Sequence, residues 1–173
     1  MIEYQIPILL VEDDRLDVKN VQRAFSQLRI TNPLFVVGDG EQALRFLRNE
    51  PPFADLSAYP RPGLILLDIN MPIMSGIEFL QQYKATTEFK SIPAVVLTTS
   101  DEERDLAESY DLGIAGYIVK PITFEDFVDV ISRIDLYWSI CSLPNRAGET
   151  HGEKANRKTF RGASSEADAS PES

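Results

Sequence analysis

Short apolar runs alternate with longer stretches of helical period along most of the chain. Ile6-Pro-Ile-Leu-Leu-Val11, Leu34-Phe-Val-Val37, Leu64-Ile-Leu-Leu-Asp68, Ala94-Val-Val-Leu97 and Tyr117-Ile-Val119 are too short for helices and rich in aliphatic residues, which predicts strands. The third has four apolar residues in succession, with Gly63 before it and Pro72 beyond. That is the pattern of a central strand covered on both faces. Between the runs the period changes. Val18, Val21, Phe25 and Leu28 form one stripe after Arg15, and Asp39 offers an N-cap for a helix carrying Ala43, Leu44 and Leu47. Ser75-Gly-Ile-Glu78 has capping-box spacing and opens a helix with Ile77, Leu80 and Tyr83. A second box, Ser100-Asp-Glu-Glu103, opens a weakly apolar helix with Leu106, Ala107 and Leu112, which predicts a loosely held element. Thr123 to Trp138 carries Phe127, Val130, Ile131, Ile134 and Trp138 on its apolar face. Five strands alternating with five helices predict an α/β fold: a doubly wound parallel sheet with right-handed crossovers.

Two segments escape this pattern. Residues 49–61, with Pro51, Pro52 and Pro60, make a loop longer than usual between helix and strand, either a partner-binding insertion or a tolerated surface excursion. Residues 145–173 are polar, aperiodic and contain one aromatic residue, Phe160, so they are expected to be a disordered tail to one domain spanning 1–144. The tail's five basic and five acidic residues cancel, which leaves the net charge of −10 wholly on the folded part. That charge speaks against non-specific nucleic-acid binding and is compatible with a cation site or a basic protein partner. One cysteine, Cys141, excludes an internal disulfide and fits a reducing compartment. The absence of a basic, apolar leader or a long apolar span points to a cytoplasmic chain. His151, the only histidine, falls in the tail and marks no metal site.

The chemistry collects at the strand ends. In a parallel sheet all the carboxyl ends share one edge, where open sheets place their ligands. Glu12 and Asp13 follow the first strand, Asp68 ends the third, Thr98 ends the fourth and Lys120 ends the fifth. Two carboxylates about 4 Å apart repel by roughly 4 kcal/mol at an effective dielectric of about 20. Lys120 offsets part of that, and a hard divalent cation such as Mg²⁺ would offset more, with the Asn70 backbone carbonyl within reach of the same turn. A carboxylate beside a cation, an ammonium and a hydroxyl suits phosphoryl transfer onto the carboxylate.

Four stretches in order, Val11-Glu-Asp-Asp14, Leu67-Asp-Ile-Asn-Met-Pro72, Leu97-Thr-Thr-Ser100 and Val119-Lys-Pro121, resemble the response-regulator receiver domain over roughly Ile6 to Leu143. The resemblance implies a flavodoxin-like sheet of order 2-1-3-4-5. It implies Asp68 as phospho-acceptor, Mg²⁺ bound by Asp13, Asp68 and the Asn70 carbonyl with Glu12 acting through a water, and Thr98 and Lys120 on the phosphoryl oxygens. Tyr117 stands at the family's aromatic switch position, and the Lys120–Pro121 bond is expected to be cis. Glu rather than Asp at position 12 is a variant that bears on metal affinity.

The 49–62 loop, Leu97-Thr-Thr-Ser100 and Asp135-Leu-Tyr-Trp-Ser-Ile-Cys-Ser-Leu-Pro144 further resemble stand-alone regulators of bacterial phytochrome kinases. That subfamily implies a light-regulated histidine kinase as donor and often a homodimer. A downstream protein partner is expected because the polar tail suits no DNA-binding or enzymatic output, and charge and hydropathy lead us to expect neither nucleic acid nor membrane as a partner.

Simpler roles compete at each position. Asp68 could merely cap a loop; Asp14 could be only an N-cap favouring the helix dipole; Lys120 could be a surface lysine; Tyr117, Tyr137 and Trp138 could be packing residues. Four motifs in register outweigh these for the acidic site. A Mg²⁺-dependent phosphohydrolase would need a second carboxylate where Asn70 stands, and a cap domain. A docking domain independent of phosphorylation has no use for Asp13, Asp68, Thr98 and Lys120 together. The expected function is therefore a signalling switch that catalyses only its own phosphorylation and dephosphorylation, not a turnover enzyme.

Overall fold

The computed structural model describes residues 5–99, 101, 104, 106 and 111–140. In chain order these form β1 (Ile8–Val11), α1 (Arg15–Gln27), β2 (Leu34–Val37), α2 (Gly40–Leu47), β3 (Leu64–Asp68), α3 (Gly76–Ala85), β4 (Ala94–Thr98), β5 (Gly116–Val119) and α4 (Phe124–Ile140). The strands make one parallel sheet of order β2-β1-β3-β4-β5. Residues 101, 104 and 106 are helical, but most of the helix expected after Ser100 lies outside the described residues, as do the expected tail and Cys141.

Alternation along the strands divides the core in two. Leu9, Val11, Ile65, Leu67 and Val96 pack with Ala43, Phe46, Phe79 and Leu80 of α2 and α3. Ile8, Leu10, Leu64, Leu66, Val95 and Leu97 pack with Val21 and Phe25 of α1 and with Phe127 and Ile131 of α4. Both faces are covered, which is why β1, β3 and β4 read as unbroken apolar runs. The caps form as expected. Asp14 accepts from the backbone N–H of Leu16 and Asp17, Asp39 from that of Gln42, and Ser75 and Glu78 close a capping box.

Residues 49–62 are anchored by aromatic side chains. Phe53 packs tilted and Tyr59 edge-on against Phe46 of α2 at centroid distances of 5.2 and 5.9 Å, and Tyr59 also meets Phe35 of β2 at 6.2 Å. The insertion is thus packed down on the α2 side of the sheet. One expectation fails. Among the described residues the cis peptide is Pro51–Pro52, and Lys120–Pro121 is trans. After β5 the Lys120 N–H still donates to the Thr98 carbonyl at 2.7 Å, so the ladder runs one residue past the strand, and the bond that follows takes the intrinsically favoured trans form.

Tyr83 is buried and its hydroxyl donates to the Ile92 carbonyl, tying α3 to the start of β4. Burial pushes the phenol up to about 12, so it stays a donor throughout the physiological range. Tyr83→Phe keeps the ring and strands a buried carbonyl, which is expected to cost about 1–2 kcal/mol in urea unfolding. An unchanged midpoint would mean that the carbonyl finds another donor.

Candidate functional site

Each strand end delivers its residue to one edge because the parallel register puts Val11, Leu67 and Val96 side by side across β1, β3 and β4. Asp68 closes β3 at 5% exposure and Glu12 follows β1 at 3%. Oxygens of Glu12, Asp13 and Asp68 all lie within 4.8 Å of one another. The Lys120 ammonium, arriving from β5, sits 2.9 Å from Asp68 Oδ1 and 2.7 Å from Glu12 Oε2. Sequence elements 108 residues apart are thus joined by one ion pair.

Burial raises the pKa of both Glu12 and Asp68, and Lys120 reverses this only in part. Asp68 is also held by the Asn70 backbone N–H, while the Asp13 charge adds to the rise. Burial pulls the Lys120 ammonium down, but hydrogen bonds to Asp17 and Glu12 and the charge of Asp68 more than compensate, so it is held firmly protonated. The cluster therefore carries more negative charge than Lys120 neutralises. Three hard oxygen donors in such a space are the donor set that a small divalent cation takes, so the residues fit Mg²⁺.

The raised Glu12 pKa has a measurable consequence. A carboxylate whose folded value lies above its ordinary 4.5 destabilises the fold when ionised. That penalty is fully present above the raised value and fades as pH falls through it toward 4.5. With a chelator present, Glu12→Gln is expected to be more stable than the parent at about pH 7, the gap closing as solution is acidified through the carboxylate range. A Gln variant less stable at neutral pH would show that pairing with Lys120 outweighs burial.

The loop leaving β3 is tightly drawn. Gly76 donates its N–H to the Ile69 carbonyl at 2.9 Å, and Met74 donates to that of Pro72 at 2.7 Å. Ile73 pays for the turn with a φ of 66°, a left-handed conformation that a β-branched residue adopts at a cost of roughly 1–2 kcal/mol. The start of α3 is thereby laid against the backbone of Asp68.

Thr98 is fully buried at the end of β4, and its hydroxyl donates to the Ile118 carbonyl of β5 at 3.4 Å. That is a long, weak bond. Tyr117, opposite Val96 in the β4–β5 register, is half-buried and packs against the α2/α3 core. The structure thus gathers Glu12, Asp13, Asp68 and Lys120 into direct proximity, with Asn70 two residues beyond Asp68, the Thr98 carbonyl bonded to the Lys120 N–H, and Tyr117 three residues before Lys120 on β5. One participant was missed. Asp17, in the first turn of α1, places Oδ2 2.7 Å from the Lys120 ammonium. Its position four residues after Asp13, one turn into a helix that starts at the acidic edge, is the signal that could have found it.

Comparison with known proteins adds an independent line. The sequence profile described as the response regulator receiver domain matches residues 8–132. Response regulator Rcp1 of Synechocystis sp. is 37% identical over 131 residues, covering 76% of this chain and 87% of that protein. A crystal structure of the phosphorylated cyanobacterial phytochrome response regulator RcpA superimposes with a TM-score of 0.73 at 35% identity, covering 82% of this chain and 99% of that one. The Mn²⁺-bound form of Rcp1 gives a TM-score of 0.71 at 36% identity, with coverages of 81% and 99%. No helix among the described residues is long and apolar enough to cross a membrane. Sheet order, acidic edge and these likenesses agree: the chain belongs to the response regulator receiver domain family, close to the phytochrome response regulators.

Proposed function

We propose that this protein is a phosphorylation-dependent switch in a two-component system, accepting a phosphoryl group on Asp68 from the phosphohistidine of a sensor kinase. The observation that carries this reading is the Lys120 ammonium on Asp68 at 2.9 Å inside a cluster of three mutually close carboxylates. An Asp68 oxygen forms the O–P bond as the donor's N–P bond breaks, and the imidazole departs with the electron pair. Lys120 pairs with a phosphoryl oxygen, and the Thr98 hydroxyl leaves its weak bond to Ile118 for another. Asp13, Asp68 and the Asn70 carbonyl, with Glu12 through a water, would hold Mg²⁺, which would supply charge neutralisation for the incoming phosphoryl group. A Mn²⁺-bound form of the relative Rcp1 supports a divalent metal here.

The new charge of about −2 on Asp68 pulls Thr98 inward, the segment after β4 follows, and Tyr117 takes up the space. A partner protein reads the altered surface. The likeness to a cyanobacterial phytochrome response regulator supports a phytochrome-type histidine kinase as the expected donor, and a homodimer is the assembly that the subfamily resemblance of the sequence implies.

The test is direct. Incubated with acetyl phosphate and Mg²⁺, the protein is expected to gain one acid-stable, alkali-labile phosphoryl group by intact-mass measurement. Excess chelator is expected to prevent it. No incorporation, or incorporation indifferent to the chelator, would remove the basis for the proposal and favour a docking domain that works without phosphorylation.

A further inference from the structure

Lys120 has more partners than neutralisation requires. Its ammonium has three N–H donors, and all three are taken: by Glu12 at 2.7 Å, by Asp17 at 2.7 Å and by Asp68 at 2.9 Å. Glu12 and Asp68 are buried and have little alternative, but the Asp17 carboxyl is 35% exposed on the first turn of α1 and could face water. Instead it accepts from the ammonium at 2.7 Å, from the α1 side. A cleft between α1 and the loop after β5, lined by Asp17, Asn20, Lys120, Thr123 and Phe124, runs along that side. The lysine is therefore not wedged in place by packing there, and the pull of Asp17 helps to decide where it sits. Arg23, lying 4.2 Å over the Phe124 ring, ties α1 to the start of α4 and holds the two walls of the cleft together.

We propose that Asp17 is a positioning residue that restrains Lys120 on the α1 side and so weakens the pairing of this ammonium with an anion on Asp68. The inference rests on the phosphoryl-acceptor reading given above. A phosphoryl oxygen gains Lys120 only in competition with Asp17, and the Asp17 charge adds to the repulsion that any anion meets on entering the cleft. Asp17 acts as a brake: it lowers the occupancy and shortens the lifetime of the switched state.

Beryllofluoride in the presence of Mg²⁺ is the probe, its affinity for the full chain measured by calorimetry. Asp17→Asn keeps an acceptor for the ammonium but removes the charge, and is expected to tighten binding about tenfold, while Asp17→Glu stays within about twofold of the parent. Asp14→Asn is the control. It removes a charge from the same end of α1 and retains the N-cap, but Asp14 does not touch Lys120. It is expected to change affinity by no more than about twofold. The lifetime of the acetyl-phosphate-derived phosphoryl group should lengthen in Asp17→Asn and not in Asp14→Asn. Equal shifts in Asp14→Asn and Asp17→Asn would reduce the effect to general field strength, and no shift in Asp17→Asn would remove it. Both results would overturn the proposal. Failure of the parent protein to bind beryllofluoride would instead strike at the phosphoryl-acceptor reading itself.

Discussion

Asp68→Asn is expected to abolish phosphoryl incorporation from acetyl phosphate in the presence of Mg²⁺, lowering the rate by at least about a thousandfold. The substitution is isosteric, and the position ends a strand whose apolar residues are all buried, so the fold survives. What disappears is the nucleophile. An amide oxygen lacks the charge needed to form the O–P bond, and the side chain no longer draws the Lys120 ammonium across the cleft. Burial makes the ionised Asp68 costly in the fold, so its replacement by a neutral group does not by itself destabilise the domain. Intact mass and thermal unfolding measured on the same sample separate these effects. Labelling at the parent rate in a folded variant would place the acceptor elsewhere, with Asp13 the next carboxylate of the cluster to test.

Gly76→Ala is expected to be the most damaging single-methyl change at the site. A Cβ on Gly76 would stand 2.3 Å from the Asp68 carbonyl oxygen and 2.9 Å from the Ile69 Cα. Both neighbours are backbone, and neither can swing aside as the end of a side chain could. The first turn of α3 must lift away, breaking the bond from the Gly76 N–H to the Ile69 carbonyl, or β3 must shift at its functional end. A cost of about 3 kcal/mol is expected, at the upper end of what overpacking inflicts on an interior. The same displacement moves Asp68 relative to Lys120, so phosphoryl uptake should fall in the fraction that remains folded. Urea unfolding together with acetyl phosphate labelling tests both parts. A variant of parent stability and parent labelling would show that α3 can slide away from β3 without strain.

Glycine at 76 illustrates what sequence reading did and did not recover. Ser75-Gly-Ile-Glu78 announced a helix start through its capping spacing, and the box is formed. That the glycine is also required for close approach to the Asp68 backbone depends on a turn through Pro72 and Ile73 that no local propensity specifies. The 49–62 loop is similar. Its prolines marked an irregular segment, but the packing of Phe53 and Tyr59 on Phe46 and Phe35 joins positions from three elements and has no periodic signature. The expected cis bond at Lys120–Pro121 came from resemblance and from no residue of this chain, and the bond is trans.

By itself the sequence determined the five strands, the four described helices, their alternation and the parallel sheet, because period, caps and run length are local properties that burial on two faces imprints on every strand. It also named Glu12, Asp13, Asp68, Thr98 and Lys120, since a charge or hydroxyl at the end of an apolar strand is conspicuous against its surroundings. Only the tertiary structure decided how those groups are apportioned. It set three carboxylates on one lysine, brought in Asp17 from the first turn of α1, and turned the Thr98 hydroxyl toward β5. The reason is range: hydrogen bonds and ion pairs act over a few ångströms, and which groups come that close is fixed by the packing of α1 and β5 around the sheet edge, not by their neighbours in the chain.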